Sequence, residues 1–144
     1  MIDQEKKRAL IAYVQEREQS DNREILLPTE RYFDGYDHHH CTVCANAGAY
    51  PTSLFADRLR AVAGRPDVQN LWVRFLDYSD ALEFEDSWIG SDSVYVVTTA
   101  EPEAVLPWFA DFKPSDAWED KELTRFPDVA ALRAGFRLVA VWWD

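Results

Sequence analysis

The residues of this chain best suited to chemistry lie in one short stretch. All three histidines and both cysteines fall within residues 38–44, in the run His-His-His-Cys-Thr-Val-Cys. Imidazole nitrogens and thiolate sulfurs are the ligands that zinc prefers, and a Cys-x-x-Cys pair commonly supplies half of a structural zinc site. One hypothesis is therefore a zinc-binding protein or a metal-dependent enzyme, with these candidate ligands: His38, His40, Cys41 and Cys44.

The ligand pattern is incomplete, which leaves other interpretations open. The chain has no second Cys-x-x-Cys pair and no downstream histidine pair, so Asp34, Asp37 or a second chain would have to complete a tetrahedral site. A dithiol redox role for Cys41 and Cys44 normally needs a helix N-terminus to activate the thiol, whereas the residues that follow are typical of a loop. We favour a metal-free loop without a cofactor, with zinc and the redox dithiol as alternatives.

A second candidate is an acidic connection at residues 77–92, called the acidic crossing below. It holds six carboxylates and no basic residue: Asp77, Asp80, Glu83, Glu85, Asp86 and Asp92. Paired carboxylates can perform acid–base or metal-assisted chemistry. Because the crossing contains no His, Lys or Cys and no glycine-rich phosphate loop, the sequence offers no base with an orienting partner. We therefore expect binding rather than catalysis at this connection.

Large aromatic residues accompany these acids. Aromatic side chains surrounded by charge are typical of protein interface anchors, and the acids would steer a basic protein partner toward them. The alternative is that the aromatics fold back to cover the sheet, as most aromatics of a small domain do. The predicted partner-binding residues are Asp80, Glu83, Phe84, Glu85, Asp86, Trp88, Asp92 and Trp118.

The negative charge is concentrated in one third of the chain. The net charge is −11, and residues 77–120 hold twelve acids and one base, Lys113, while the remaining residues hold 14 of each. Such a field repels nucleic acid and anionic membranes and attracts basic proteins. We expect no nucleic-acid or membrane partner; a simple role in solubility is the alternative.

Size and termini favour a cytoplasmic protein. The chain has 144 residues, which is the length of one domain, and 47% of them are hydrophobic. No apolar run approaches the ~18 residues of a membrane span. The charged N-terminus lacks the apolar segment of a signal peptide. The cysteine pair is too closely spaced to staple a fold, and the oligomeric state is left open.

Periodicity predicts the elements that must position these groups. Residues 1–20 are predicted to form an N-terminal helix. A second helix is predicted to begin at a cap on Thr52 or Ser53, to carry Phe55, Leu59 and Val62 on one side, and to stop at Gly64. An irregular loop, called the histidine loop below, is predicted at residues 35–51. A third helix is predicted at residues 101–112, bent by Pro107, and a short one between Pro127 and Gly135.

The strand signals complete an α+β pattern. Alternating or two-faced apolar runs predict strands at 68–78, 94–99 and 136–143, and an edge strand at 25–27 or 31–33. The predicted fold class is a single α+β domain over residues 1–144, with a mostly antiparallel sheet and helices packed on one face. The element order is compatible with a ferredoxin-like βαββαβ unit preceded by the N-terminal helix.

Four short motifs complete the sequence: Tyr32-Phe33-Asp34-Gly35, Arg65-Pro66-Asp67-Val68-Gln69, Asp92-Ser93-Val94-Tyr95-Val96 and Val141-Trp142-Trp143-Asp144. They resemble those of a family of small, uncharacterised, acidic bacterial proteins, and in style that family is similar to toxin-immunity proteins. The resemblance runs from about Leu27 to the C-terminus, and the His-His-His-Cys run departs from it. It implies a non-enzymatic binding protein. Our first hypothesis is accordingly a cytoplasmic binding or inhibitor protein whose acidic, aromatic surface covers a basic partner.

Overall fold

A five-stranded antiparallel sheet organises the computed structural model, which describes residues 1–20 and 24–144. The strand order is β1-β2-β3-β5-β4, and every neighbouring pair is antiparallel. The predicted α+β class with an antiparallel sheet is confirmed. The strands are β1 Leu26–Pro28, β2 Val68–Arg74, β3 Ser93–Thr98, β4 Asp116–Glu119 and β5 Arg137–Trp142.

The helices precede or connect these strands. Two short 3₁₀ segments, at Leu106–Phe112 and Leu123–Arg125, complete the regular structure of the described residues. The helices are α1 Gln4–Ser20, α2 Thr29–Phe33, α3 Thr52–Ala63, α4 Ser79–Glu83 and α5 Pro102–Val105. No helix among the described residues combines the length and hydropathy of a membrane span.

The ferredoxin-like arrangement is not confirmed. A split βαβ unit places another strand between two parallel strands, whereas β1 and β2 are adjacent and antiparallel, with Leu27 paired to Val73. The three-residue strand β1 ends at Pro28 and lies at a sheet edge, where the missing N–H of proline is harmless. Of the two predicted positions for this strand, the first is therefore correct, and residues 31–33 belong to α2.

Helices cover one face of the sheet. All six residues of β3 are buried, and the alternate residues Val94 and Val96 face a core that includes Val14 of α1 and Phe55 and Leu59 of α3. The i, i+4 spacing of the two α3 residues places both on one side of that helix. The first core lies between this helical layer and the sheet.

The other face of the sheet is covered by an irregular segment at residues 120–136. Its Phe126 ring lies 5.0 Å from the ring of Tyr95, and Val129 and Leu132 pack against the same cluster. The short helix predicted between Pro127 and Gly135 is wrong. The backbone between Phe126 and Phe136 is irregular, with turns at 127–128 and 134–135, and Val129 and Leu132 reach the cluster without helical geometry.

The third predicted helix is interrupted as its proline suggests. One α-helical turn, α5, is followed by a 3₁₀ segment that contains Pro107. Phe109 departs from helical geometry, with φ −116° and ψ 17°, and Lys113 ends the segment with φ 54°. Because Pro107 has no backbone N–H to donate, one continuous helix does not form.

The edge strand β4 was missed by the sequence prediction. Its four residues pair with β5, Trp118 opposite Ala140. Just after β4, the Asp120 N–H donates to the Leu138 carbonyl of β5. Because backbone N–H groups alternate in direction along an antiparallel strand, the Ala117 N–H points away from β5, towards the open edge of the sheet. That N–H donates to Oδ1 of the preceding Asp116 at 2.8 Å. The polar turn predicted at residues 19–23 lies in part outside the described residues.

Glu24 ties the irregular segment to the sheet. Its carboxylate accepts hydrogen bonds from Arg74 of β2 at 2.9 Å and from Arg125 at 3.0 Å. Burial alone would raise the pKa of Glu24, but the hydrogen bonds and positive charge of both arginines outweigh it and lower the pKa. A carboxylate whose pKa is lower in the folded state stabilises the fold above its unfolded pKa, and this stabilisation is lost as pH falls through the folded pKa.

We expect Glu24→Gln to lower the free energy of unfolding at neutral pH by about 1–2 kcal/mol, because charge-assisted hydrogen bonds are lost. Urea denaturation of both proteins as a function of pH measures this. The difference should shrink below the ordinary pKa range of glutamate. Glu30→Gln, which removes an exposed partner of Arg60, is the control and should change stability little. A constant difference down to strongly acidic pH would contradict the assignment.

Candidate functional site

The first turn of α3 fixes the histidine loop. The buried Thr52 hydroxyl accepts from His38 N–H at 3.0 Å and donates to the His38 carbonyl at 3.1 Å, while Thr52 N–H donates to that carbonyl at 2.9 Å. The expected role of Thr52 or Ser53 as a helix cap is wrong, because α3 follows Pro51 without a side-chain cap. The hydroxyl instead holds His38 at the surface.

The histidines lie on the outer side of this loop. His38 is half-buried, whereas His39 and His40 are exposed, and the His38 and His39 rings stack at 4.4 Å with an interplanar angle of 19°. The His40 N–H donates to Nδ1 of His38 at 3.0 Å. This hydrogen bond orients the His38 ring and occupies one of its two nitrogens.

The cysteines lie on the inner side of the same loop. Cys41 and Cys44 are free thiols and both are fully buried in the core. Within residues 1–20 and 24–144, no three His, Cys, Asp or Glu residues are grouped so that they could hold a metal ion. Cys41 and Cys44 therefore lie in the core, whereas His38 and His40 lie on the outer side of the loop. The four candidate ligands are not grouped as a metal site.

The acidic crossing is anchored by the first helix. Lys7 is only 4% exposed, and its ammonium donates to the carbonyls of Phe84, Glu85 and Ser87 at 2.9, 3.3 and 3.1 Å. Gln4 adds a bond from Nε2 to the Glu85 carbonyl at 2.7 Å. Burial lowers the pKa of Lys7, although nearby acidic side chains oppose this.

Five of the predicted partner-binding residues lie together on the exposed side of the crossing. The 77–92 segment is closed at its base by a bridge between Asp77 and Gly90. The Phe84 ring is 49% exposed although its backbone is held by Lys7. The five exposed residues are Asp80, Glu83, Phe84, Glu85 and Asp86.

Trp88 does not belong to that surface. It is 4% exposed, its indole N–H donates to the Tyr32 carbonyl at 3.0 Å, and its ring stacks on Tyr36 at 4.9 Å. Trp88 is therefore a core side chain, and it also lines the smaller of the two cavities described below. Its contact with a partner stays a prediction.

Asp92 and Trp118 lie apart from the crossing surface. The Asp92 carboxylate accepts from the Trp142 indole at 3.3 Å and lies 3.8 Å from Arg74. The exposed Trp118 contacts Trp142 with ring centroids 6.3 Å apart, on the edge strand β4. These two residues are associated with each other through Trp142 and not with the five residues of the crossing.

The histidine loop and the acidic crossing meet at a cleft. A cavity of about 680 Å³ lies between them, the first residues of the chain and the start of α3, and a smaller cavity of about 220 Å³ adjoins the crossing. His38 and Asp86 line both cavities. The two features considered separately in the sequence therefore form one surface.

The cleft is strongly acidic. Five carboxylates line its two cavities, and among the described residues no Lys or Arg side chain does so. Asp37 accepts from the α-amino group of Met1 at 3.0 Å, which partly neutralises that carboxylate. The arrangement suits a cationic group, because carboxylates and imidazole can accept its hydrogen bonds. The carboxylates are Asp37, Asp77, Asp80, Glu85 and Asp86.

Two positioning residues escaped the sequence prediction, Thr52 as a loop anchor and Lys7. The sequence does contain a pattern that indicates burial of Lys7. Lys7 precedes the buried residues Leu10, Ile11 and Val14 by three, four and seven positions, so it lies on the same side of α1 as they do. A lysine on such a stripe indicates a buried ammonium that needs several acceptors.

We expect Lys7→Met to lower the free energy of unfolding by about 2–3 kcal/mol, because three carbonyls lose their donor. It should also speed amide hydrogen exchange across residues 84–87. Chemical denaturation and hydrogen exchange measure the two effects. The matched control is Lys6→Met, since Lys6 is half exposed and pairs with Asp34 at the surface; this variant should change stability little. Equal losses in both variants would contradict the anchoring role.

Comparison with known proteins places the chain in a family. The model of the Uncharacterized protein YfbO family matches residues 5–141. The Escherichia coli (strain K12) protein "Uncharacterized protein YfbO" is 27% identical over 127 residues, which is 86% of each chain. No solved structure matches. The match includes α1, which the sequence-based resemblance left outside, and it does not test the likeness to immunity proteins. The chain belongs to the Uncharacterized protein YfbO family.

Proposed function

We propose that the protein is a non-enzymatic binding protein that holds a basic segment of a partner protein in the cleft between the histidine loop and the acidic crossing. The observation that carries this proposal is the meeting of His38 and Asp86 at two adjoining acidic cavities. Lysine or arginine side chains entering the cleft would exchange water for charge-assisted hydrogen bonds to carboxylates.

Exposed apolar side chains near the cleft support a protein partner over a small cation. Leu82 and Phe84 of the crossing are 63% and 49% exposed, and Leu54, next to the cleft residue Ser53, is 53% exposed. Apolar anchors bordered by carboxylates match a partner segment that is both basic and amphipathic. The acids then contribute mainly to the association rate and to selectivity, and the apolar side chains to affinity.

The anchored backbone makes such a surface effective. Lys7 and Gln4 hold the crossing at four hydrogen bonds, so little chain freedom is lost when a partner binds. An acidic surface of this kind can act as an inhibitor when the basic surface that it covers is the substrate-binding surface of a toxin. We propose this immunity-like role in the cytoplasm as the specific form of the function.

Charge reversal of the crossing tests the proposal. We expect the triple variant Glu83→Lys, Glu85→Lys and Asp86→Lys to bind a labelled basic amphipathic peptide at least about tenfold more weakly, since three surface charge pairs are lost. The salt dependence of binding should fall as well. Fluorescence anisotropy at low and physiological salt measures both, and circular dichroism checks that the fold is retained.

A matched variant separates the cleft from bulk charge. Glu16, Glu103 and Glu122 are exposed, and none lines either cavity. Reversing these three acids to Lys changes the net charge by the same amount, and binding should stay within about twofold of the unmodified protein. Equal weakening in both triple variants, or unchanged binding in the first, would remove the proposal.

A further inference from the structure

The smaller of the two cavities at the cleft is lined by carboxylates that the chain itself does not neutralise. They belong to Asp77, Asp80 and Asp86, and no Lys or Arg within residues 1–20 and 24–144 forms an ion pair with any of them. At another turn, by contrast, the Asp67 carboxylate is held by Arg65 at 3.0 Å. The cavity therefore offers its carboxylates to a cation from outside the chain.

Two stacked aromatic rings form part of the wall of the same cavity. Tyr36 of the histidine loop and Trp88 of the crossing both line it, with ring centroids 4.9 Å apart and an interplanar angle of 5°. The Tyr36 hydroxyl accepts from the Thr42 N–H at 3.0 Å, and the Trp88 indole N–H is bonded to the Tyr32 carbonyl, so the polar atoms of both rings are already engaged. Aromatic rings beside carboxylates attract a cation through the ring quadrupole as well as through charge.

Gly90 leaves room for one of the carboxylates. Its N–H donates to the Asp77 carbonyl at 2.7 Å, which closes the crossing at its base. A Cβ atom at position 90 would lie 3.2 Å from Asp77 Oδ1 and 3.3 Å from the Asp77 carbonyl oxygen, which is closer than ordinary van der Waals contact. The missing side chain therefore lets the Asp77 carboxylate lie against the backbone at the cavity wall.

We propose that the smaller cavity binds one arginine side chain of the partner protein; this inference rests on the proposed binding function and adds the residue type that the cleft selects. A guanidinium group is planar and carries donors along its whole edge, so it can bond to carboxylates on different walls while its face lies against aromatic rings. A lysine ammonium is a compact and more strongly hydrated charge that gains less from such a wall. The larger cavity, whose lining includes Met1, Ile2 and Pro51, is left for the residues that flank the arginine.

Small compounds that differ only in the side chain test the pocket on the full chain. The probes are the Nα-acetyl methylamides of arginine, lysine and citrulline, of which citrulline is the neutral analogue of arginine. Nitrogen-15 spectra are recorded during each titration at about pH 7.5, where an unperturbed imidazole is mostly neutral. We expect the arginine compound to shift the amides of Asp77, Asp86 and Gly90 to saturation. The lysine compound should bind at least about fivefold more weakly, which is the scale of one exposed cation–π contact, and the citrulline compound should not bind.

Two variants and a matched control locate the site. Asp80→Asn removes one charge from the cavity, and Gly90→Ala places a methyl group against Asp77; each should weaken binding of the arginine compound at least about threefold. Glu103 is exposed and lines neither cavity, so Glu103→Gln removes one charge elsewhere and should leave the affinity nearly unchanged. Circular dichroism checks the fold, and Asp80→Asn, at an exposed position of α4, gives a result even where Gly90→Ala unfolds the chain.

The arginine pocket and the proposed binding function fail in different ways. Equal affinity for the arginine and lysine compounds, or the absence of saturable shifts with the arginine compound, overturns the pocket. Equal weakening by Glu103→Gln and Asp80→Asn also overturns it, because binding then follows the net charge of the protein. The binding function is judged separately, by the amphipathic peptide and the charge-reversed triple variants.

Discussion

The central strand β3 must be kept from water on both of its faces, and this requirement shapes the rest of the molecule. Helices α1 and α3 cover one face, and the irregular segment at residues 120–136 covers the other. An irregular cover leaves backbone groups that need partners. The Arg125 carbonyl accepts from the Glu24 N–H at 2.9 Å, and the Asp128 carboxylate accepts from the Leu26 N–H at 3.1 Å. These two hydrogen bonds tie the irregular segment to the residues that begin β1.

Lys7 meets the same demand on the helical side. An ammonium group removed from water needs acceptors for its three donors, and the three carbonyls of residues 84–87 provide them. All three hydrogen bonds of the ammonium go to backbone oxygens beneath the crossing. The carboxylates of Glu85 and Asp86, which attract the ammonium without accepting these bonds, line the cleft.

The sequence predicts the strands β2, β3 and β5 well because apolar residues on both faces leave few alternatives. The sequence-based prediction misses β4, because Asp-Ala-Trp-Glu at an exposed edge lacks that pattern. It also assigns a helix to the segment of Val129 and Leu132, whose spacing is helical although their backbone is irregular. The candidate ligands and acids are visible as residue types, but the meeting of His38 with Asp86 depends on tertiary packing that no local pattern encodes. The core position of Trp88 was not predictable for the same reason, since an indole side chain suits an interface and a core equally.

The Asp116 carboxylate satisfies a backbone donor at the open edge of the sheet. Edge strands invite sheet growth, because their outward N–H and C=O groups are templates for another chain. In β4 the outward Ala117 N–H is already bonded within the strand. A second β4 would also bring Asp116 and Glu119 of two chains close together, acid against acid. Acidity at this edge therefore disfavours the pairing of β4 with a β4 strand of another chain.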